Sequence, residues 1–137
     1  MSRTNGAVVL LVQPRSEGSE IYAELLRDHG LTPLAVSNAR DALAVAPKAD
    51  VIVTGVLLPG STDGIGLIAQ LRSDERTRHT PIIVLTVCTW QTERDRCQDA
   101  GCDVFLPKPC LPDALLREVQ RLLATGEPAR PELLHRE

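Results

Sequence analysis

Few residues in this chain are of types that do chemistry, and their spacing argues against most of it. The four cysteines, Cys88, Cys97, Cys102 and Cys110, include no Cys-x-x-Cys pair and match no zinc spacing. The three histidines, His29, His79 and His135, are scattered. No metal site is expected, and the cysteines read as reduced, small packing residues. A redox pair of Cys88 with Cys110 is conceivable but disfavoured. What remains are polar and special residues that fall just after apolar runs. These are Gln13-Pro14, Thr54-Gly55, Thr86 and Lys108-Pro109.

Those positions matter because of the elements that hold them. Apolar runs at 7–12, 33–36, 51–53, 81–86 and 103–106 read as strands. Runs without alternation suit strands buried on both faces of a parallel sheet. Between them lie helical patterns: Ile21, Leu25 and Leu26 before Gly30; Ala39, Ala42, Leu43 and Ala46 behind Ser37 as N-cap; Ile65, Ile68 and Leu71 behind Asp63 as N-cap. Further on come the charged segment 91–100, closed by Gly101, and the stripe Leu115, Val119, Leu122 and Leu123, with Pro112 in its first turn. Five β/α units predict a doubly wound α/β fold with a five-stranded parallel sheet and five helices. In such sheets ligands bind beyond the carboxyl ends of the strands.

Length and composition agree. The chain has 137 residues, 43% hydrophobic, 24% charged and only 2% aromatic, so one domain with an aliphatic core is expected. The net charge of -3 offers no footprint for nucleic acid. No apolar run is long enough for a membrane span, and the short polar start is not a secretory signal, so a cytoplasmic protein is expected. The domain is placed at 1–124. Residues 125–137 are read as a tail or the start of a linker, with Leu133 and Leu134 available for docking.

Four segments in register resemble the receiver domain of two-component response regulators, whose sheet is flavodoxin-like. They are Val51 to Gly60 with Asp63-Gly64, Thr80 to Thr86, Ala100-Gly101-Cys102-Asp103, and Phe105-Leu-Pro-Lys108-Pro109. The resemblance covers roughly residues 7 to 124. It implies that Thr86 and Lys108 contact phosphoryl oxygens, that Phe105 is a switch aromatic, and that the Lys108-Pro109 bond is cis.

The departures are as informative. The family's acidic pair, which holds Mg²⁺, falls on Gln13 and Pro14, and its phospho-accepting Asp falls on Gly55. Mg²⁺ prefers charged oxygen ligands, and nucleophilic attack by a carboxylate needs a carboxylate. Ser61 and Thr62 lie too far along the loop to substitute, and Val87 is expected to crowd the phosphoryl space. Thr86, Phe105, Lys108 and Pro109 are the retained positions. Lys108, without acidic neighbours, is expected to reach water, contact carbonyls or bind an anion.

The expectation is therefore a non-enzymatic signalling module that works without aspartyl phosphorylation and binds no cofactor. Its implied partners are a histidine kinase, an output domain or another signalling protein, with a homodimer left open. Neither nucleic acid nor membrane is expected as a partner. The expected partner surface includes Trp90, Arg94 and Cys97 around the fourth helix, because Trp is enriched in binding hot spots. Two alternatives stay open: a small-anion or metabolite-binding module built on Gly55, Thr86 and Lys108, and a phosphorelay receiver with an unidentified acceptor. A flavin protein is disfavoured, because Gln13 to Gly18 is no phosphate loop.

Overall fold

A computed structural model describes residues 6–14, 19–87, 90–108 and 110–125. Five parallel strands, β1 (Val8–Val12), β2 (Thr32–Val36), β3 (Val51–Thr54), β4 (Ile82–Thr86) and β5 (Val104–Pro107), form one sheet in the order β2-β1-β3-β4-β5. Five helices connect or follow them: α1 (Ser19–Asp28), α2 (Ala39–Val45), α3 (Gly64–Ser73), α4 (Gln91–Ala100) and α5 (Pro112–Thr125). A short 3₁₀ turn, Ala46–Lys48, extends α2. The doubly wound flavodoxin-like architecture expected from the β/α alternation is the one observed.

The apolar strands divide their side chains between two buried layers, as a period of two requires. Val9, Leu11, Val51, Val53, Ile83 and Leu85 pack with Tyr22, Ala23 and Leu26 of α1 and with Leu115, Leu116, Val119, Leu122 and Leu123 of α5. Leu10, Val12, Ile52, Ile82 and Val84 face α2, α3 and α4. The edge strand β2 is the least buried, and there Pro33 is tolerated because an edge position needs no donor on its outer side. All the strands run the same way, so every loop after a strand opens at one end of the molecule.

Several helix boundaries follow their local chemistry. Asp63 caps α3 by accepting from Gly66 N at 2.8 Å. Gly101 ends α4 at φ 119, a left-handed conformation that favours glycine. Other details correct the sequence reading. The N-cap of α2 is Asn38, not Ser37: its side chain accepts from Asp41 N at 2.8 Å. Ile21 is 62% exposed, because the stripe of α1 that meets the sheet runs through Tyr22, Ala23 and Leu26. Strand β5 starts at Val104 rather than Asp103, which turns inward just before it as a buried carboxylate. No helix among the described residues is long and apolar enough to cross a membrane.

Candidate functional site

Four strand ends converge on one spot. Gln13 follows β1, and its backbone N–H donates to Val36 O at 3.1 Å, extending the β1–β2 ladder by one residue. Gly55 follows β3, with its N–H on Val12 O at 2.9 Å. Thr86 ends β4, and its carbonyl accepts from the Lys108 backbone N–H at 2.8 Å. The sheet ladder thus brings Gln13, Gly55, Thr86 and Lys108 together, although up to 95 residues separate them in the chain.

The side chains complete a hydrogen-bonded bridge. Gln13 is 2% exposed. Its Nε2 donates to Leu85 O at 3.4 Å, and its Oε1 accepts from Lys108 Nζ at 2.9 Å. A Cβ placed on Gly55 would find Gln13 Nε2 as its nearest neighbour, at 3.4 Å. The Gln13 amide therefore lies across the space over Gly55. The cavity left there measures about 30 Å³ and is lined by Gln13, Pro14, Gly55, Thr86 and Val87, among others. Val87 lines this cavity but is 60% exposed, so the expected crowding comes chiefly from Gln13. A far larger cleft of about 860 Å³ lies elsewhere, between α2 and the β3–α3 loop, and neither Gly55 nor Lys108 lines it.

Around this spot the remaining candidates separate. Phe105 is half-buried against the α2/α3/α4 layer, and the Arg94 guanidinium sits 4.7 Å from its ring centroid in a cation–π contact. Trp90 is the N-cap residue of α4 and is 74% exposed. Cys97 corrects the sequence reading. It is fully buried in the core beneath α4, so it cannot form part of a partner surface. Burial, aided by the neighbouring Cys97, pushes the Cys102 thiol up to about 12, while burial also raises the half-buried Cys110. Raised thiol pKa values make these cysteines poor nucleophiles. Pro109 and Cys88 lie outside the described residues, and with them the cis bond and the approach of Cys88 to Cys110.

Sequence reasoning missed a second polar cluster at the opposite end of the sheet. Arg72 of α3 donates to Gly101 O at 3.0 Å, Arg78 O at 2.9 Å, Thr80 O at 2.8 Å and Asp103 Oδ2 at 2.8 Å. The same Asp103 oxygen accepts from Ile82 N at 2.9 Å. The cluster ties α3, the α4–β5 turn and the start of β4 together, far from Gly55.

Residues 9–120 match the family model described as the response regulator receiver domain. The chain belongs to that family. It is 31% identical over 134 residues to the transcriptional regulatory protein TcrA of Mycobacterium tuberculosis, covering 96% of this chain and 52% of that protein. The chain thus spans about half the length of this curated relative. Among solved structures, the chemotaxis response regulator CheY4 of Vibrio cholerae superposes with a TM-score of 0.78 at 30% identity, covering 87% of this chain and all of the other. The receiver domain of a Pseudomonas aeruginosa sensor histidine kinase gives the same TM-score and identity, over 86% of this chain and 98% of the other.

That Pseudomonas receiver holds a magnesium ion in its active-site cleft. The residues of this chain do not fit one. Among the described residues no group of three or more His, Cys, Asp or Glu is placed to hold a metal ion. Gln13 Oε1 already accepts from an ammonium, which would repel a divalent cation. Asp63, the acid that follows in the β3–α3 loop, is occupied as the cap of α3.

Proposed function

We propose that this receiver domain transmits signals through protein–protein contact and does so without aspartyl phosphorylation. The observation that carries the reading is the Lys108–Gln13 bond closing over Gly55. A carboxylate is needed twice in phosphoryl transfer to a receiver, once as acceptor and once to hold the metal, and neither position carries one. The lysine that the resemblance assigns to the phosphoryl group is engaged by a neutral amide instead.

The small cavity, about 30 Å³, weighs against the small-anion and metabolite readings. The partners implied are those of the family: a histidine kinase, an output domain or another signalling protein. The exposed Trp90, with Arg94 beside it on α4, is the favoured contact surface, open to a homodimer as well.

The test is a titration with Mg²⁺ and beryllofluoride, the phosphoryl mimic, followed by amide NMR shifts. The expected result is no saturable shift at Gly55, Thr86 or Lys108. Saturable, Mg²⁺-dependent shifts at those amides would overturn the reading and mean that another group completes an acidic site.

A further inference from the structure

Among the described residues five large apolar side chains are exposed at 60% or more: Ile21, Leu57, Val87, Trp90 and Leu111. They are scattered in sequence but not in the fold. Leu57 and Val87 lie in the loops after β3 and β4, Trp90 precedes α4, Leu111 precedes α5, and Ile21 stands in the first turn of α1. All five positions lie at the carboxyl end of the parallel sheet. Leu57 and Val87 line the small cavity over Gly55, and Ile21 and Leu111 line one groove between α1 and the start of α5. In the middle of this face Gln13, Pro14 and Gly55 carry no charge, and the Lys108 ammonium is engaged by Gln13 Oε1. An apolar face of this kind marks an interaction surface.

The charges at its rim point to the occupant. Helices α1 and α5 cover one side of the sheet, and α2, α3 and α4 the other. The first turns of α1 and α5 carry Glu20 and Asp113 and no cation. On the opposite rim, α2 and α4 begin with Arg40 and Arg94. The acids beside them are engaged locally, Asp41 by Asn38 and Glu93 by Arg96, and Asp63 is held as the cap of α3. Residues 15–18 add one charge of each sign, Arg15 and Glu17.

A twofold axis lying in this face, along the row of strands, lays the α1/α5 rim of one copy on the α2/α4 rim of the other. Such an axis keeps position along the row. Glu20, near β1, then meets Arg40 of the other copy, near β2, and Asp113, near β5, meets Arg94, near β4. Each pair occurs twice, as an isologous interface requires. The five apolar side chains supply on the order of 500 Å². That is over half of the roughly 800 Å² that each partner gives a stable interface.

We propose that two copies of this chain pair face to face through the carboxyl ends of their sheets, closing each Gly55 spot within the interface. The inference rests on the phosphorylation-independent reading, because a sealed face admits no phosphoryl donor.

The experiment is sedimentation of the full 137-residue chain over a wide concentration range, with the fluorescence of Trp90, the only tryptophan, as a second readout. The expected result is a monomer–dimer equilibrium in which dilution shifts Trp90 emission to the red. Ile21→Glu/Leu111→Glu should abolish the dimer; both residues are exposed, and circular dichroism checks that the variant folds. Glu20→Arg or Arg40→Glu alone should weaken the dimer by about tenfold, since each turns both copies' pairs repulsive. The Glu20→Arg/Arg40→Glu double variant should restore it. A chain that is monomeric at every concentration overturns the proposal. So does a dimer indifferent to Ile21→Glu/Leu111→Glu, or one that the double charge swap does not rescue. None of these outcomes touches the phosphorylation-independent reading, which fails only on the beryllofluoride shifts.

Discussion

The Lys108 ammonium donates a 2.9 Å hydrogen bond to the side-chain carbonyl of Gln13, joining the turn after β5 to the end of β1. A hydrogen bond to a charged group contributes roughly 1.5–3 kcal/mol, and a partly buried one sits within that range. Gln13→Leu is therefore expected to lower stability by about 2 kcal/mol, and Lys108→Met by a similar amount. The double variant should cost about 1 kcal/mol less than the sum of the two, because neither half is then left facing an apolar side chain. Urea denaturation of the four proteins measures the cycle. Strictly additive losses would mean that the bond contributes nothing to stability.

Gly55→Asp tests what the missing acceptor alone accounts for. The added Cβ meets Gln13 Nε2 at 3.4 Å and Leu85 O at 3.7 Å, which are ordinary contacts, so the first side-chain atom fits, and circular dichroism checks that the whole variant folds. With Gln13 and Pro14 unchanged there is still no carboxylate pair for Mg²⁺. Incubation with acetyl phosphate and Mg²⁺ should leave the intact mass of Gly55→Asp unchanged. A phosphoryl adduct should form only when Gln13→Asp and Pro14→Asp accompany it. An adduct on the single variant would show that the acceptor was the one missing part.

The strand ends were legible from sequence because Gln13, Gly55, Thr86 and Lys108 each follow an apolar run, and a parallel sheet must bring such positions to one end. What could not be read was how Gln13 is used. As a metal ligand it is a poor carboxylate, but as a neutral acceptor facing an ammonium it satisfies both groups. That pairing depends on the depth of β1 against β5, which no local pattern encodes. Cys97 carried two readings, a small packing residue and part of the surface around Trp90, and only the packing one holds, because it is the single buried position of α4. Ile21 went wrong by one helical step, since Tyr22 fits the same stripe and takes the place against the sheet. The Arg72–Asp103 cluster was invisible because its arginine bonds mainly to carbonyls of turns, whose positions follow from tertiary packing.

Arg72 should be the most sensitive polar residue outside the receiver spot. Its side chain is 15% exposed and faces an Asp103 side chain that is fully buried, at 2.8 Å. Removing one member of a buried pair costs about 3–5 kcal/mol, because the other charge stays behind. Arg72→Ala is expected in that range by chemical denaturation. Arg72→Lys should recover only part of it, since one ammonium cannot reach three turn carbonyls and a carboxylate with the geometry of a guanidinium fork. A loss under about 1 kcal/mol for Arg72→Ala would mean that water replaces the guanidinium without penalty.

The buried thiol of Cys102 gives the fold an alkaline limit. Burial is the main cause that raises this thiol from 9.0 to about 12, and the adjacent Cys97 adds to it. The folded state therefore keeps the thiol neutral where the unfolded chain would ionise it. A folded pKa above the unfolded one gives stability that is complete below about 9 and lost as pH rises from there towards about 12. Other groups titrate in that window, so the informative quantity is a difference between two proteins. Urea denaturation of the native chain and of Cys102→Ala, from about pH 8 to about pH 11, should show the native chain losing stability more steeply. Curves that stay parallel across the window would mean that Cys102 ionises alike in both states, and that water reaches the thiol beneath the α4–β5 turn.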